Sequence, residues 1–435
     1  MLKCIAATLV ALLTTTALLA QDAPTDLERR VRELELRIQQ MQAEKASAEL
    51  TEMARQIQIL TQEIEALKTH QTAPTAQADQ EQNGLGAAAS KVYRAEPGVT
   101  FGGYGEFLYQ NFEPAARVDN ADALRAILYT GYKFNDRVIF NSEVEYEHAN
   151  TERNGEVEVE FAYLDYMLRP AFGVRAGLLL MPIGLTNEQH EPTAFLGARR
   201  TQVESRIIPS TWSEIGAGVF GDVGPVTYRA YLTTSLNSDA FTATGIRGGR
   251  QMGSQAKAND FAVVGRVDWK PVEGTMLGGS IYSGNSGHER NYGAKVQLAE
   301  VHADAHYRGF VARAMYTTGT IDDAAAINAN NKLTGNGSVG EEFGGWYVEG
   351  GYEISAALGL TEASVTPYAR YENFDTQRSV PNGFLRNPAN EQNILTIGVA
   401  FKPIPQTVIK VDWQEVENEA GTGVNQWNVG LGYIF

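Results

Sequence analysis

The chain has 435 residues, with 36 Lys and Arg against 52 Asp and Glu, and a formal net charge of −16. That acidity excludes a basic footprint of the kind nucleic acid requires, so no nucleic-acid partner is expected. A single Cys, at position 4, leaves no material for disulfide frameworks, zinc–thiolate sites or thiol catalysis, while 43 Gly, 19 Tyr, 17 Phe and 5 Trp signal many strands and tight turns.

Residues 1–20 read as a secretory signal peptide. Lys3 supplies the positive start, Cys4 to Ala20 carries no charge, and cleavage is expected after Ala20. No later segment approaches the roughly 18 uncharged apolar residues of a membrane helix, so a helical membrane protein is excluded. Residues 21–69 read as a coiled coil in the periplasm. Leu27, Val31, Leu34, Ile38 and Met41 step by four and three, and so do Met53, Ile57, Leu60, Ile64 and Leu67. The two blocks are out of phase, which predicts a stutter near Lys45 and Glu52. The number of helices in the coil stays open. Residues 70–97, rich in Gln, Ala, Thr and Gly with Pro74 and Pro97, read as a linker with little fixed structure.

From residue 98 to 435 the chain reads as sixteen short amphipathic strands. Their centres fall near Glu106, Tyr129, Val144, Phe161, Leu178, Gly218, Ala230, Gly265, Ser280, Val296 (running on to Tyr307), Ala314, Val348, Ala369, Ile397, Val411 and Leu431. Short turns at Asn135-Asp136, Arg169-Pro170, Gly224-Pro225, Lys270-Pro271, Arg308-Gly309 and Pro403 to Pro405 alternate with connections that include long ones, at 185–209, 238–258, 321–342 and 377–390. That segregation predicts an all-β transmembrane barrel of sixteen antiparallel strands, with the short turns and both ends of the barrel in the periplasm. The last strand carries Trp427, Val429, Leu431, Tyr433 and Phe435 on one face and Asn428, Gly430 and Gly432 on the other. It resembles the terminal strand of bacterial outer-membrane proteins. That resemblance makes Phe435 part of an insertion signal and the outer-membrane insertion machinery a partner.

The same alternation assigns the barrel's interior. Glu143, Glu145 and Glu147 share a face, as do Glu156, Glu158 and Glu160 on the next strand. Arg175, Arg229, Arg266, Arg313, Arg370 and Lys410 face inward on later strands, beside apolar residues such as Val174, Val267 and Val411. A charge on the lipid side costs roughly 2–4 kcal/mol near the midplane, which fixes the charged faces as the inner ones. Sixteen strands leave an aqueous lumen. Opposed acidic and basic walls are expected to set a field across it.

The connection from Leu185 to Pro209 is long, is bounded by Pro192 and Pro209, and carries apolar Phe195, Leu196, Val203, Ile207 and Ile208. It is expected to fold into the lumen, with Glu188, His190, Glu191, Arg199, Arg200 and Arg206 at a constriction. His190 beside Glu188 and Glu191 is read as a hydrogen-bonded loop residue rather than a metal ligand. Between Gly177 and Asp222, and above all at Asn187-Glu188-Gln189-His190-Glu191-Pro192 and Ile207-Ile208-Pro209-Ser210-Thr211-Trp212, the chain resembles the phosphate-selective porin O and P family. The resemblance runs from about Phe101 to Phe435. It implies a trimeric sixteen-stranded porin whose third loop enters the pore. The Glu-rich wall and scarce Lys depart from a phosphate channel.

No Gly-x-Ser-x-Gly elbow and no Ser–His–Asp constellation stand out, so no enzyme activity, catalytic residue or cofactor is expected. The reading is an outer-membrane porin, a passive channel for small hydrophilic or charged solutes, bedded in outer-membrane lipid as a homotrimer. The alternative is a structural tether or adhesin whose barrel is only an anchor.

Overall fold

The computed structural model describes residues 33, 36–37, 55–56, 82–113, 117–151 and 154–435. The chain divides into compact units, 1–70 and 71–435. In the first unit Glu33, Leu36, Arg37, Arg55 and Gln56 are helical. The signal peptide and the rest of the expected coiled coil lie outside the described residues. Among the described residues no helix is long and apolar enough to cross a membrane.

The second unit is a closed barrel of sixteen antiparallel strands. The strands are β1 (Gly98–Glu113), β2 (Asn120–Lys133), β3 (Val138–Glu147), β4 (Val157–Arg169), β5 (Phe172–Leu180), β6 (Ser213–Val223), β7 (Val226–Thr234) and β8 (Phe261–Trp269). They continue with β9 (Thr275–Gly284), β10 (Val296–Tyr307), β11 (Phe310–Ile321), β12 (Glu342–Tyr352), β13 (Ser364–Ser379), β14 (Glu391–Ile404), β15 (Thr407–Asn418) and β16 (Asn425–Ile434). Every expected centre falls inside its strand. β14 runs on through Pro403 to Ile404, one turn later than the Pro pair suggests. β16 closes on β1 with Tyr433 opposite Gly105. Gly103 and Phe435 exchange backbone hydrogen bonds of 3.0 and 2.9 Å, which seals the seam at the rim where the barrel begins and ends.

Alternation along each strand builds two unlike surfaces. Outward residues are apolar and exposed, such as Leu128, Val263, Ile281, Val301, Val348, Ile397 and Val429. Exposed aromatics ring both ends: Phe101, Trp269, Tyr307, Phe310 and Phe435 towards the terminal rim, and Tyr109, Tyr146, Phe261, Tyr316 and Trp427 towards the far rim. An apolar band between aromatic girdles is the exterior that lipid selects.

The expected linker is a point of correction. From Gln82 onward it is folded, with a short helix α1 (Lys91–Arg94). Leu85, Ala88, Ala89, Val92 and Tyr93 are buried inside the terminal half of the barrel. Their small and apolar side chains match an interior niche, a tertiary fact that Gln, Ala and Gly content does not display.

Candidate functional site

All ten residues expected to line the interior face it. Most sit opposite another inward residue across the ladder: Glu143 pairs with Tyr129, Arg175 with Asp165, Arg229 with Arg266, Arg313 with Glu349, Arg370 with Glu349 and Lys410 with Ala400. The expected basic wall is a wall of ion pairs. Arg175 Nε meets Asp165 at 2.8 Å, and its guanidinium lies 4.0 Å over the Tyr163 ring. Arg266 Nε meets Asp268 at 2.8 Å, Arg313 meets Asp304 at 3.0 Å, and Arg370 meets Glu349 at 3.3 Å and Glu372 at 2.9 Å. A buried guanidinium without its carboxylate costs several kcal/mol, so these strands carry Arg and acid together. The signal was legible: Arg266 with Asp268, Arg370 with Glu372, and Glu300 with His302 and Asp304 share faces two residues apart. Lys410 differs, its ammonium resting 3.6 Å from the Phe195 ring centroid with no hydrogen-bond partner among the described residues.

The connection between β5 and β6 lies inside the barrel. Asn187 closes its base by donating to the carbonyls of Met181 (2.7 Å) and Trp212 (2.9 Å) and accepting from Trp212 N–H (2.8 Å). Thr201 caps the short helix α2 (Gln202–Arg206), and the wall residue Glu372 accepts the N–H groups of Gln202 and Val203 at 2.6 and 3.2 Å. Asp412 accepts from Ala198 N–H at 2.7 Å, Lys402 donates to Thr193 O at 2.9 Å, and Tyr347 donates to Glu204 at 2.9 Å. Pro192 lies directly against Gly432, where a Cβ would collide with it, so the small inner face of β16 is the seat of this loop.

The six loop residues expected together separate. Glu188 pairs with Arg229 at 3.3 Å. His190 reaches Glu143 at 3.0 Å and Glu160 at 3.6 Å. Glu191 turns to the folded 82–94 segment and accepts Ala88 and Ala89 N–H at 2.9 and 3.1 Å. Burial pushes its carboxyl up to about 7 despite those two bonds. Arg199 and Arg200 line a cavity on the far side of the loop. Arg206 is exposed and does not.

That cavity measures about 890 Å³. Its acidic side carries Glu106, Glu145, Glu147, Glu156, Glu158 and Glu160; its basic side carries Arg199, Arg200, Arg247 and Arg250, with Arg125 among the carboxylates. Acidic and basic residues thus share one cavity, and its Arg199, Arg200, Arg247 and Arg250 come from two loops rather than from strands. Arg247 and Arg250 were not foreseen. They belong to the connection between β7 and β8 and grip the first loop: Arg247 donates to Ser205 O (3.2 Å) and Ser210 O (2.6 Å), and Arg250 to Pro209 O and Thr211 O. Burial and the neighbouring Arg250 lower Arg247 to about 9.

On the terminal side a second cavity, of about 320 Å³, lies between Gln82–Gly84, Glu188 and the wall residues Arg229, Arg266 and Asp268. The two cavities have no lining residue in common. Between them stand Glu191 with its Ala88–Ala89 contacts and the inward aromatic row Tyr104, Tyr129, Phe161 and Tyr163, whose ring centroids are 6.2, 6.1 and 5.3 Å apart in turn.

A closed sixteen-strand barrel with its third far-rim connection, β5 to β6, inside is the porin-type fold. Among solved structures, Salmonella typhi OmpF in complex with daunomycin aligns with 78% of this chain and 97% of its own at a TM-score of 0.51 and 11% identity. Vibrio cholerae OmpT in its trimer form aligns with 78% and 99% at a TM-score of 0.47 and 11% identity, too low a score to argue from. No family model matches the chain. An uncharacterized protein of Aquifex aeolicus (strain VF5) is 37% identical over 343 residues, covering 76% of this chain and 78% of that protein. The chain belongs to the same family as that protein.

Proposed function

We propose that the protein is an outer-membrane porin, a non-enzymatic channel for small hydrophilic or charged solutes. In this reading the terminal rim and the coiled coil face the periplasm. The observation that carries it is the charged cavity of about 890 Å³ inside a barrel whose outside is apolar. Water-filled space bounded by Glu on one side and Arg on the other suits a solute that crosses with its hydration partly replaced by side chains. The inward loop is the constriction, and the six Arg and Lys of the strands together with Glu143, Glu145, Glu158 and Glu160 are the lining. Phosphate-selective porin O and P membership rests on the resemblance from about Phe101 to Phe435, above all on the motifs at 187–192 and 207–212, and a homotrimer rests on that resemblance.

A second reading, a tether or adhesin anchored by a sealed barrel, is favoured by the 82–94 segment, whose Leu85, Ala88, Ala89, Val92 and Tyr93 are buried in the terminal half of the lumen. Single-channel recording of the full-length protein in planar bilayers separates the two. The porin reading expects discrete openings whose reversal potential shifts in a salt gradient. A heat-modifiable, folded barrel that passes no current at any voltage sinks it in favour of the tether.

A further inference from the structure

Along β4 the alternation that turns Glu158 and Glu160 inward would turn Phe161 outward. Instead the β3–β4 ladder slips between Glu143 and Val144: Glu143 faces Phe161, and Val144 faces Val159. Glu160 is the extra residue of this bulge, and it is buried inside the barrel beside Phe161. Bulges re-aim side chains in this way next to functional sites. The result is that Glu143, Glu160 and His190 gather their donor atoms within 4.8 Å of one another, all three buried.

The hydrogen bonds around His190 show what this cluster lacks. Its Nδ1 lies 2.9 Å from the backbone carbonyl of Asn187, which can only accept, so Nδ1 carries a hydrogen. In the neutral ring Nε2 is then a bare lone pair. It is aimed at Glu143 Oε1 (3.0 Å), Glu143 Oε2 (3.2 Å) and Glu160 Oε2 (3.6 Å), all acceptors. A positive charge, carried by a proton or by a metal ion, would meet these lone pairs. A proton on Nε2 would serve Glu143 but leave Glu160 Oε2, which is buried and accepts no hydrogen bond among the described residues. A backbone carbonyl that holds Nδ1–H fixes the tautomer in which Nε2 is free to ligate a metal, as in metal-binding histidines.

We infer that Glu143, Glu160 and His190 form a binding site for one divalent transition-metal cation at the junction of the inward loop and the barrel wall. Two carboxylates and one neutral imidazole balance a charge of plus two. Bonds of roughly 2.0–2.2 Å allow donors up to about 4.4 Å apart, and His190 Nε2 lies 3.0 Å from Glu143 and 3.6 Å from Glu160. Mixed imidazole and carboxylate donors suit zinc-like ions better than magnesium or calcium, which take oxygen alone. The way in is marked too. Glu145, Glu158 and Glu160 form a second group of donors within 4.8 Å, and all three line the large cavity. Glu160 belongs to both groups, so an ion captured at the cavity can pass inward by exchanging partners on one residue. Arg125 and Arg200 are the competing positive groups. Arg125 is engaged by Glu106 and Glu145, and Arg200 donates to Thr211 and the His190 carbonyl. The site depends on the porin reading only for that route, since binding itself needs no current.

The test is calorimetric titration of zinc chloride into the EDTA-stripped, full-length protein in detergent at pH 7, with magnesium chloride as the comparison. The expected result is one zinc per barrel, with magnesium at least tenfold weaker. X-ray absorption of the zinc complex should show one imidazole among oxygen donors. Glu160→Gln, nearly isosteric, and His190→Gln should each weaken zinc by more than the roughly 10–100-fold that loss of a mere supporting group costs. His288→Gln, on another loop, should change nothing. Heat-modifiable migration verifies that each variant is folded. Zinc binding that is absent, unaffected by Glu160→Gln and His190→Gln, or matched by magnesium overturns the site, whereas a silent bilayer with zinc still bound overturns only the porin reading.

Discussion

Tyr93 is the strongest single tie between the 82–94 segment and the barrel wall. Its hydroxyl donates to Asp165 at 2.7 Å and accepts from Arg175 Nη2 at 3.0 Å, while its ring is buried. Tyr93→Ala removes a large buried aromatic, worth about 3–5 kcal/mol. It also strips one partner from a buried ion pair, for a further 1–3 kcal/mol or so. Asp165 and Arg175 keep each other at 2.8 Å, so the wall itself should hold. Even about 3 kcal/mol moves the ratio of docked to undocked segment by roughly a hundredfold. If solutes pass through the terminal half of the lumen, Tyr93→Ala should raise the mean single-channel conductance or the open fraction. Tyr93→Phe, which keeps the ring, should do so much less. The assay is planar-bilayer recording, with heat-modifiable migration to show an intact barrel. Identical conductance in all three proteins would refute the idea that this segment obstructs the path.

Other outcomes follow from the same geometry. Docking of the 82–94 segment buries Glu191 and raises its carboxyl from an ordinary 4.5 to about 7, with His190 opposing and Glu143 adding to the shift. The docked state therefore binds the extra proton. Docking is at full strength below about pH 4.5 and weakens as pH rises through 7, so conductance should increase from pH 5 to pH 8 and Glu191→Gln should flatten that dependence. Arg199→Ala with Arg200→Ala should move the reversal potential towards cation selectivity, and Glu145→Gln with Glu158→Gln should move it the other way. Arg206→Ala, off the cavity, should leave it unmoved, and the shifts should shrink once salt screens charges beyond ~8–10 Å; equal effects of all three would contradict the placement of the loop. Phe435→Ser should lower the folded amount in outer-membrane fractions, because the ring ends the apolar row beside Tyr433 at the seam. Light scattering of the full-length protein should give a trimer, and a monomer would discard that assembly.

The sequence by itself determined the barrel: strand number, strand centres, facing and the segregation of turns from loops. Each of these follows from a local rule. The pleat repeats every two residues, lipid rejects charge on one side, and tight turns carry their own residues. It also marked the loop from 185 to 209 by length and apolar content. What only the tertiary structure decided is partnership inside the lumen. Glu191 meets Ala88 across 103 residues, and Ala198 meets Asp412 across 214. Neither contact has a period to announce it. The bulge that turns Phe161 inward beside Glu160 depends on one slipped register, invisible in an alternating Val-Glu-Val-Glu-Phe. Arg247 and Arg250 reached the cavity because their loop folds back onto its neighbour. The folded 82–94 segment resembles a linker in composition, because Ala and Gly are as suited to a crowded niche within a barrel as to a chain in water; the surrounding walls alone distinguish the two.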